Sequence, residues 1–301
     1  MKILLIRLSS IGDIVLTSPV LRCLALQRPG DELHMMVKAP FRSLADASPY
    51  VARALVYGEP IVERYDCVVD LQGNARSRKV CRQLRPARVL RFRKQNVAKA
   101  LLTLFKRELV PIRHVCDRYL EAVAPLGVAN DNKGLDFFLQ PVACELPPSP
   151  YRVLVVGANH RTKTIPIERL RQLAGRSDEP VLLLGGKAEA QLTQGVDWPA
   201  HVTDLCGKTT LMESAALLAA ASRVVSPDTG MMHIAVALGT PLTLVWGSTD
   251  PRYGFAPYQP HGAVEQLLPR CACHPCGKLG HERCPRRHFR CMEDHFNTHQ
   301  L

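Results

Sequence analysis

No apolar run in this 301-residue chain approaches the roughly 18 to 20 residues that a helix needs to span a bilayer. The opening MKILLIRL is interrupted by Arg7 after a short apolar run, and no small-residue cleavage site follows. It reads as a first strand rather than an export signal, and cytoplasmic location is the expectation. Without an export signal, the eleven cysteines are not expected to form a disulfide framework. A G-x-G-x-x-G fingerprint is missing too, so a dinucleotide role has no support. With 47% apolar and 22% charged residues, the chain has ordinary soluble composition. That excludes a disordered, collagen-like or low-complexity polymer and a small disulfide scaffold.

Acid is nearly absent from one window. Residues 76–113 hold thirteen Lys or Arg and one acid, Glu108, so this stretch carries the whole net charge of +12. A focused basic patch suits an anionic partner: nucleic acid, an anionic membrane surface or an acidic substrate. The bland alternative is a solubilising face, although such faces usually mix both signs. Aromatic residues are scarce in the window, which leaves few stacking platforms for a nucleic acid. A nucleic-acid partner is therefore not expected, and a basic zinc protein that binds nucleic acid is the remote alternative.

What is present is an alternation of short Leu/Ile/Val runs with amphipathic stretches. Strands are expected at 3–8, 33–38, 67–71 and 88–92, and again at 153–156, 181–184, 223–225 and 242–246. Helices are expected between them, as at 19–26 and 211–221. Strand–helix alternation predicts parallel sheets covered by helices. Residues 140–150, QPVACELPPSP, contain four prolines and mark a linker. The expectation is two similar α/β domains, 1–147 and 148–301, with ligands beyond the carboxyl ends of the strands and a cleft between them.

Four segments carry candidate chemistry. Ser9-Ser10-Ile11-Gly12-Asp13 follows the first strand and opens a helix. Asp13 is either an N-cap or a carboxylate base beside an acceptor hydroxyl. Ser226-Pro227-Asp228-Thr229-Gly230-Met231-Met232-His233 follows a later strand, and its helix ends at Gly239-Thr240-Pro241. The N–H groups of Thr229, Gly230 and Met231 suit a phosphate at a helix start. His233 shares a face with Thr229 and leans toward that start, or else is structural. Gly157-Ala158-Asn159-His160-Arg161-Thr162-Lys163 is a basic turn whose Lys163 can act as a point charge on a diphosphate. The fourth segment is the tail, with Cys273, Cys276, Cys284 and Cys291 among His274, His281, His288 and His295. Its C-x2-C opening suits a tetrahedral structural zinc, and the alternative is a reduced cluster that packs the returning chain. The scattered Cys23, Cys67, Cys81, Cys116, Cys144 and Cys206 read mostly as small core residues.

Taken together, these segments resemble the ADP-heptose:lipopolysaccharide heptosyltransferases of glycosyltransferase family nine. The resembling stretches are KILLIRLSSIGDIVLTSPVLRCL, DLQGNARS from Asp70, KTIP from Lys163, LLLGGKAEA from Leu182, CGKTTL from Cys206 and VVSPDTGMMHIAVALGTPLTLVWGSTDP from Val224. They span most of the chain in the family's order. The resemblance implies a GT-B fold, with two Rossmann-like domains that bind the acceptor on the first and the nucleotide sugar on the second. It places Asp13 on the general base, and Arg7, Ser10, Gly12, Gln72 and Arg76 toward the acceptor. Asn159, Lys163, Glu189, Asp228, Thr229, Gly230, Met231 and His233 fall toward the donor. Asn159 stands where the family often carries Thr, and Glu189 falls on a ribose contact. The implied reaction is inverting transfer of heptose from ADP-heptose to the lipid A–Kdo core, without a catalytic metal. The same fold with another nucleotide sugar or acceptor is the alternative. An anionic acceptor at the inner membrane also accounts for the basic window.

Overall fold

The computed structural model describes residues 1–142 and 146–297. Cys144 lies outside the described residues. The chain forms two compact units, Met1–Gln95 with Arg113–Gln140, and Asn96–Ile112 with Pro141–Leu301. The prolines of the linker suggested one cut near residue 147. The structure also assigns residues 96–112 to the second unit, because the helix in that segment packs there.

In the first unit, β1 (Lys2–Ile6), β2 (Glu32–Val37), β3 (Arg53–Val56), β4 (Cys67–Asp70) and β5 (Arg88–Arg91) form a sheet in the order β3-β2-β1-β4-β5. Every neighbouring pair is parallel. Its helices are α1 (Ile11–Val15), α2 (Ser18–Gln27), α3 (Arg42–Asp46), α4 (Ala75–Leu84) and, after α5 (Asn96–Phe105) of the second unit, α6 (Val115–Val123). The core packs Leu4, Ile6, Leu8, Met36 and Val68 against Val80 and Cys81. β1 is buried along nearly its whole length, which accounts for its unbroken apolar run.

The second unit orders β6 (Arg152–Val155), β7 (Val181–Leu184), β8 (Val202–Asp204), β9 (Arg223–Pro227), β10 (Leu242–Val245) and β11 (Val264–Leu267) as β11-β10-β9-β6-β7-β8, again all parallel. Its further helices are α7 (Ile167–Gly175), α8 (Lys187–Thr193), α9 (Leu211–Ala219), α10 (Gly230–Leu238) and α11 (Arg290–Asn297). β3, β8 and β11 carry Arg53, Thr203, Glu265 and Gln266, so their sequences lack the continuous apolar run that marks the central strands. All three are sheet-edge strands. In each sheet the strand order reverses at one place, between β1 and β4 and between β6 and β9. Those are the positions where open α/β sheets bind ligands.

Cys23, Cys67, Cys81, Cys116 and Cys206 are buried free thiols, as expected of small core residues. One polar network is also buried. Arg22 on α2 reaches Asp131 through Nε at 2.7 Å and Asp136 through Nη1 at 2.5 Å. The hydrogen bond from Arg22 is the main reason that the Asp131 carboxyl is held at about 2. A carboxylate with a depressed pKa stabilises the fold above its ordinary range, and the stabilisation is lost as pH falls toward 2. Asp131→Asn is therefore expected to cost about 2 kcal/mol at neutral pH and to flatten the acid limb of stability. Urea unfolding at several pH values checks this.

Candidate active site

The turn after β1 aims three side chains at one point. Arg7 leaves the strand end and its Nη2 lies 2.6 Å from Asp13 Oδ1. Its Nη1 donates to the Leu71 carbonyl at 2.7 Å, which ties the turn after β1 to the end of β4. Ser10 is the N-cap of α1, and Asp13 is the third helical residue rather than the cap. The Ser10 N–H and hydroxyl both donate to Asp13 Oδ2, at 3.1 and 3.0 Å. The carboxylate is thus fixed by three donors, while its side chain stays 23% exposed. Gln72 accepts the Leu8 N–H through Oε1 at 2.8 Å, and Asp70 Oδ1 accepts the N–H groups of Gln72 and Gly73. Gln72 is thereby a brace between the two turns. Gly12 is buried in α1, and Arg76 stands exposed in the first turn of α4, a helix capped by Asn74.

Burial works to raise the Asp13 carboxyl, but the charge and hydrogen bond of Arg7 and the two donors of Ser10 outweigh it and hold it below the usual range. Asp13 is therefore ionised at neutral pH, as a base must be. Tyr119 completes the floor. The Arg7 guanidinium carbon lies 5.7 Å from its ring centroid, and Phe92 meets that ring edge-on at 4.9 Å. Arg7→Met removes the larger of the influences that lower the carboxyl and leaves only the two Ser10 donors to oppose burial. The acid limb of the kcat/KM–pH profile is expected to move upward, toward or past the ordinary carboxylate range. A profile unchanged in position would break the link between Arg7 and the base.

In the second unit, two of the residues expected at the donor, Lys163 and Asp228, meet at the reversal between β6 and β9. Lys163, on the turn after β6, places Nζ 2.8 Å from Asp228 Oδ2 after β9. The Thr249 hydroxyl donates to the same oxygen at 2.8 Å. Thr229 caps α10, accepting the Met231 N–H at 3.0 Å. This corrects the role expected of Met231, because that N–H is directed to the cap. The Thr229 hydroxyl keeps its own proton to donate. His233 is buried one turn into α10. Asn159 is exposed on the turn after β6. Glu189 on α8 accepts the Gly186 N–H through Oε2 at 2.8 Å and folds over Gly157. A Cβ on Gly157 would stand 2.1 Å from Glu189 Cγ, so glycine is what lets the carboxylate reach the end of β6.

The cysteine-rich tail is built into this site. His274 Nε2 lies 2.7 Å from the Thr249 carbonyl, and the Cys276 N–H donates to the Ser248 carbonyl at 2.9 Å. The His281 N–H donates to Thr162 Oγ1 at 2.7 Å, and His295 Nε2 lies 2.8 Å from the Trp246 carbonyl. Burial lowers the pKa of both His274 and His295. Gly280, at φ +92°, lets the tail pass over the stem of Lys163, where a Cβ would sit 3.1 Å from Cγ and Cδ. Thr162, Ser248, Thr249, Tyr119 and Gly280 are the contributors that sequence reasoning did not single out. GSTDP, containing Ser248 and Thr249, lay inside a resembling stretch and was the available signal.

The tail's sulfurs are grouped differently from the spacing. Cys273 Sγ lies 3.8 Å from Cys271 Sγ and 3.6 Å from His288 Nε2. Burial, reinforced by the neighbouring Cys273, pushes the Cys271 thiol up to about 12, and burial with Cys273 beside it pushes Cys276 to about 11. At Cys284 burial is outweighed by the N–H groups of Phe289, Arg286, His288 and Arg287, and the thiol lies below its ordinary range. Among the described residues no three His, Cys, Asp or Glu side chains stand together in a metal-holding geometry. The set of Cys273, Cys276, Cys284 and Cys291 is thus not assembled as a tetrahedron here. Cys273 turns instead toward Cys271, two residues back, and His288.

Two doubly wound parallel sheets, with an ionised carboxylate at one strand reversal and a lysine beside a helix start at the other, match the architecture of the GT-B glycosyltransferases. Residues 59–279 match glycosyltransferase family 9 (heptosyltransferase), and the chain belongs to that family. Lipopolysaccharide heptosyltransferase 1 of Pseudomonas aeruginosa is 28% identical over 295 residues, covering 84% of this chain and 80% of that one. The structure of the Escherichia coli heptosyltransferase WaaC with ADP matches with a TM-score of 0.65 at 25% identity, over 89% of this chain and 93% of that one. A family 9 glycosyltransferase from Veillonella parvula shares the fold, with a TM-score of 0.70 at 18% identity over 88% and 86% of the two chains.

Proposed function

We propose that this chain transfers a heptose from ADP-heptose to the Kdo/heptose inner core of lipopolysaccharide, with inversion at the anomeric carbon. The observation that carries this reading is the ionised Asp13, held by Arg7 and Ser10 yet open to solvent. Its remaining lone pair, on Oδ1, takes the proton of an acceptor hydroxyl. The acceptor oxygen forms a bond to the anomeric carbon as the bond from that carbon to the diphosphate oxygen breaks. The bonding pair leaves with ADP. Negative charge grows on the departing diphosphate, where Lys163, the Thr229 hydroxyl, His233 and the start of α10 oppose it. We assign Glu189 to the ribose of the donor and Asn159 to the donor site. We assign Arg7, Ser10, Gly12, Gln72 and Arg76 to the acceptor.

These cationic and N–H groups supply the charge stabilisation that a divalent ion supplies elsewhere, so transfer needs no metal. Zinc, if the tail binds it, serves structure. Dialysis against a chelator is expected to leave turnover and ADP protection against thermal unfolding unchanged. Turnover lost on chelation and restored by zinc or magnesium would refute the metal-free reading.

We further place the enzyme at the cytoplasmic face of the inner membrane, where the acceptor's phosphates and carboxylates meet the basic window. No helix among the described residues is long and apolar enough to cross a membrane, and the association we propose is peripheral. The decisive experiment is acceptor-dependent ADP release from ADP-heptose with a Kdo-bearing lipid A acceptor. Release with this pair, and none with UDP-sugars, supports the reading. ADP binding without release redirects it to another sugar or acceptor.

A further inference from the structure

We infer that α5 and the segment after it form a membrane-docking element that seats an apolar stripe in an anionic phospholipid surface. This deepens the peripheral-membrane reading above and rests on it. α5 has two apolar faces. One is buried within the second unit through Ala98, Lys99 and Leu102. It is fastened there by Lys99 Nζ at 4.3 Å from the Phe255 ring centroid, by the Thr103 hydroxyl at 2.7 Å from the Tyr253 hydroxyl, and by Lys106 Nζ donating to the Pro275 carbonyl.

A neighbouring face is also apolar and, apart from the half-buried Leu101, lies open to solvent. Val97, Leu101, Leu104 and Phe105 fall within one arc of the helix at i, i+4, i+7 and i+8. Val97 is 76% exposed, Leu104 71% and Phe105 52%, and Leu109 and Val110, just past the helix end, are exposed as well. Thirteen large apolar side chains among the described residues are strongly exposed, and five of them lie between 97 and 110. Scattered exposure of this kind is ordinary, but such clustering on an ordered helix marks an interaction surface.

Charge selects the occupant. Arg107 lies exposed inside the stripe's segment, Arg93 and Lys94 precede it in sequence, and Glu108 is its one acid. Pairing this face with a second copy would bring two such basic sets together. An anionic lipid surface satisfies both features, since headgroups take the bases while the acyl boundary takes Val97, Leu104 and Phe105.

The test is co-sedimentation of the full chain with vesicles of phosphatidylcholine alone and of phosphatidylcholine with phosphatidylglycerol. Wild type is expected to bind the anionic vesicles, with affinity falling as salt rises. The Leu104→Asp, Phe105→Asp double variant is expected to lose roughly tenfold or more of that binding while keeping ADP protection. Leu109→Ser with Val110→Ser, outside the helix, supplies the same readout should the first pair disturb folding. Variants that bind like wild type overturn the docking element and leave peripheral association standing. A wild type that binds neither vesicle overturns both, while ADP release on the acceptor still tests heptose transfer separately. A dimer in lipid-free solution that the double variant converts to monomer assigns the stripe to a second copy and overturns the proposal.

Discussion

Asp13→Asn is expected to lower turnover by roughly 10²- to 10⁴-fold, the usual contribution of a positioned base, and to leave ADP affinity unchanged. The asymmetry follows from placement, because Asp13 belongs to the first unit and the residues proposed to meet the diphosphate belong to the second. Asn is the sharper substitution because it keeps hydrogen-bonding atoms near Arg7 and Ser10 while removing the proton acceptor. Ala would also strand the buried Arg7 charge, and breaking such a pair by deleting one partner is strongly destabilising in its own right. Steady-state kinetics with ADP binding and a thermal melt separate these effects. Turnover close to wild type in Asp13→Asn would remove Asp13 as the base.

Lys163→Ala is the second large effect. It is expected to reduce kcat by about 10²- to 10³-fold, or roughly 2 to 4 kcal/mol in the barrier, the loss typical of one preorganised donor at a site of developing charge. The fall should be greater in kcat than in ADP affinity, since charge on the diphosphate grows as the glycosidic bond breaks. Lys163→Arg is not expected to restore activity. The lysine stem lies beneath Gly280, and a planar guanidinium has a different shape and hydrogen-bonding geometry from a compact ammonium. Equal losses in kcat/KM and ADP affinity, with kcat preserved, would make Lys163 a uniform binding residue instead.

Much of the site was legible because its residues sit in unbroken local patterns. Asp13 follows an apolar strand and a glycine, and the stretch from Ser226 to His233 joins a strand end to a helix start. The central strands were equally visible, since burial on both faces demands continuous Leu, Ile and Val. The edge strands β3, β8 and β11 were not, because polar positions break that run. Asp13 could be read as a cap or a base. The structure makes Ser10 the cap and leaves Asp13 to Arg7, six residues back along the chain. Met231 shows the opposite limit, since no pattern says that a helix-start N–H is already taken by the hydroxyl of Thr229.

Sequence by itself determined the two parallel α/β units, the turns that carry Arg7, Asp13, Lys163, Asp228 and Thr229, and the basic window. Each of these follows from residues adjacent in the chain, through periodicity, capping or local charge. Tertiary structure alone decided what depends on contacts between distant segments. It set the Lys163–Asp228–Thr249 cluster, the turn of Cys273 toward Cys271 and His288, and the passage of Gly280 over the Lys163 stem. It also assigned residues 96–112 to the second unit and left one apolar face of α5 open. Helical periodicity records that a face is apolar, but only the packed fold determines whether that face is covered.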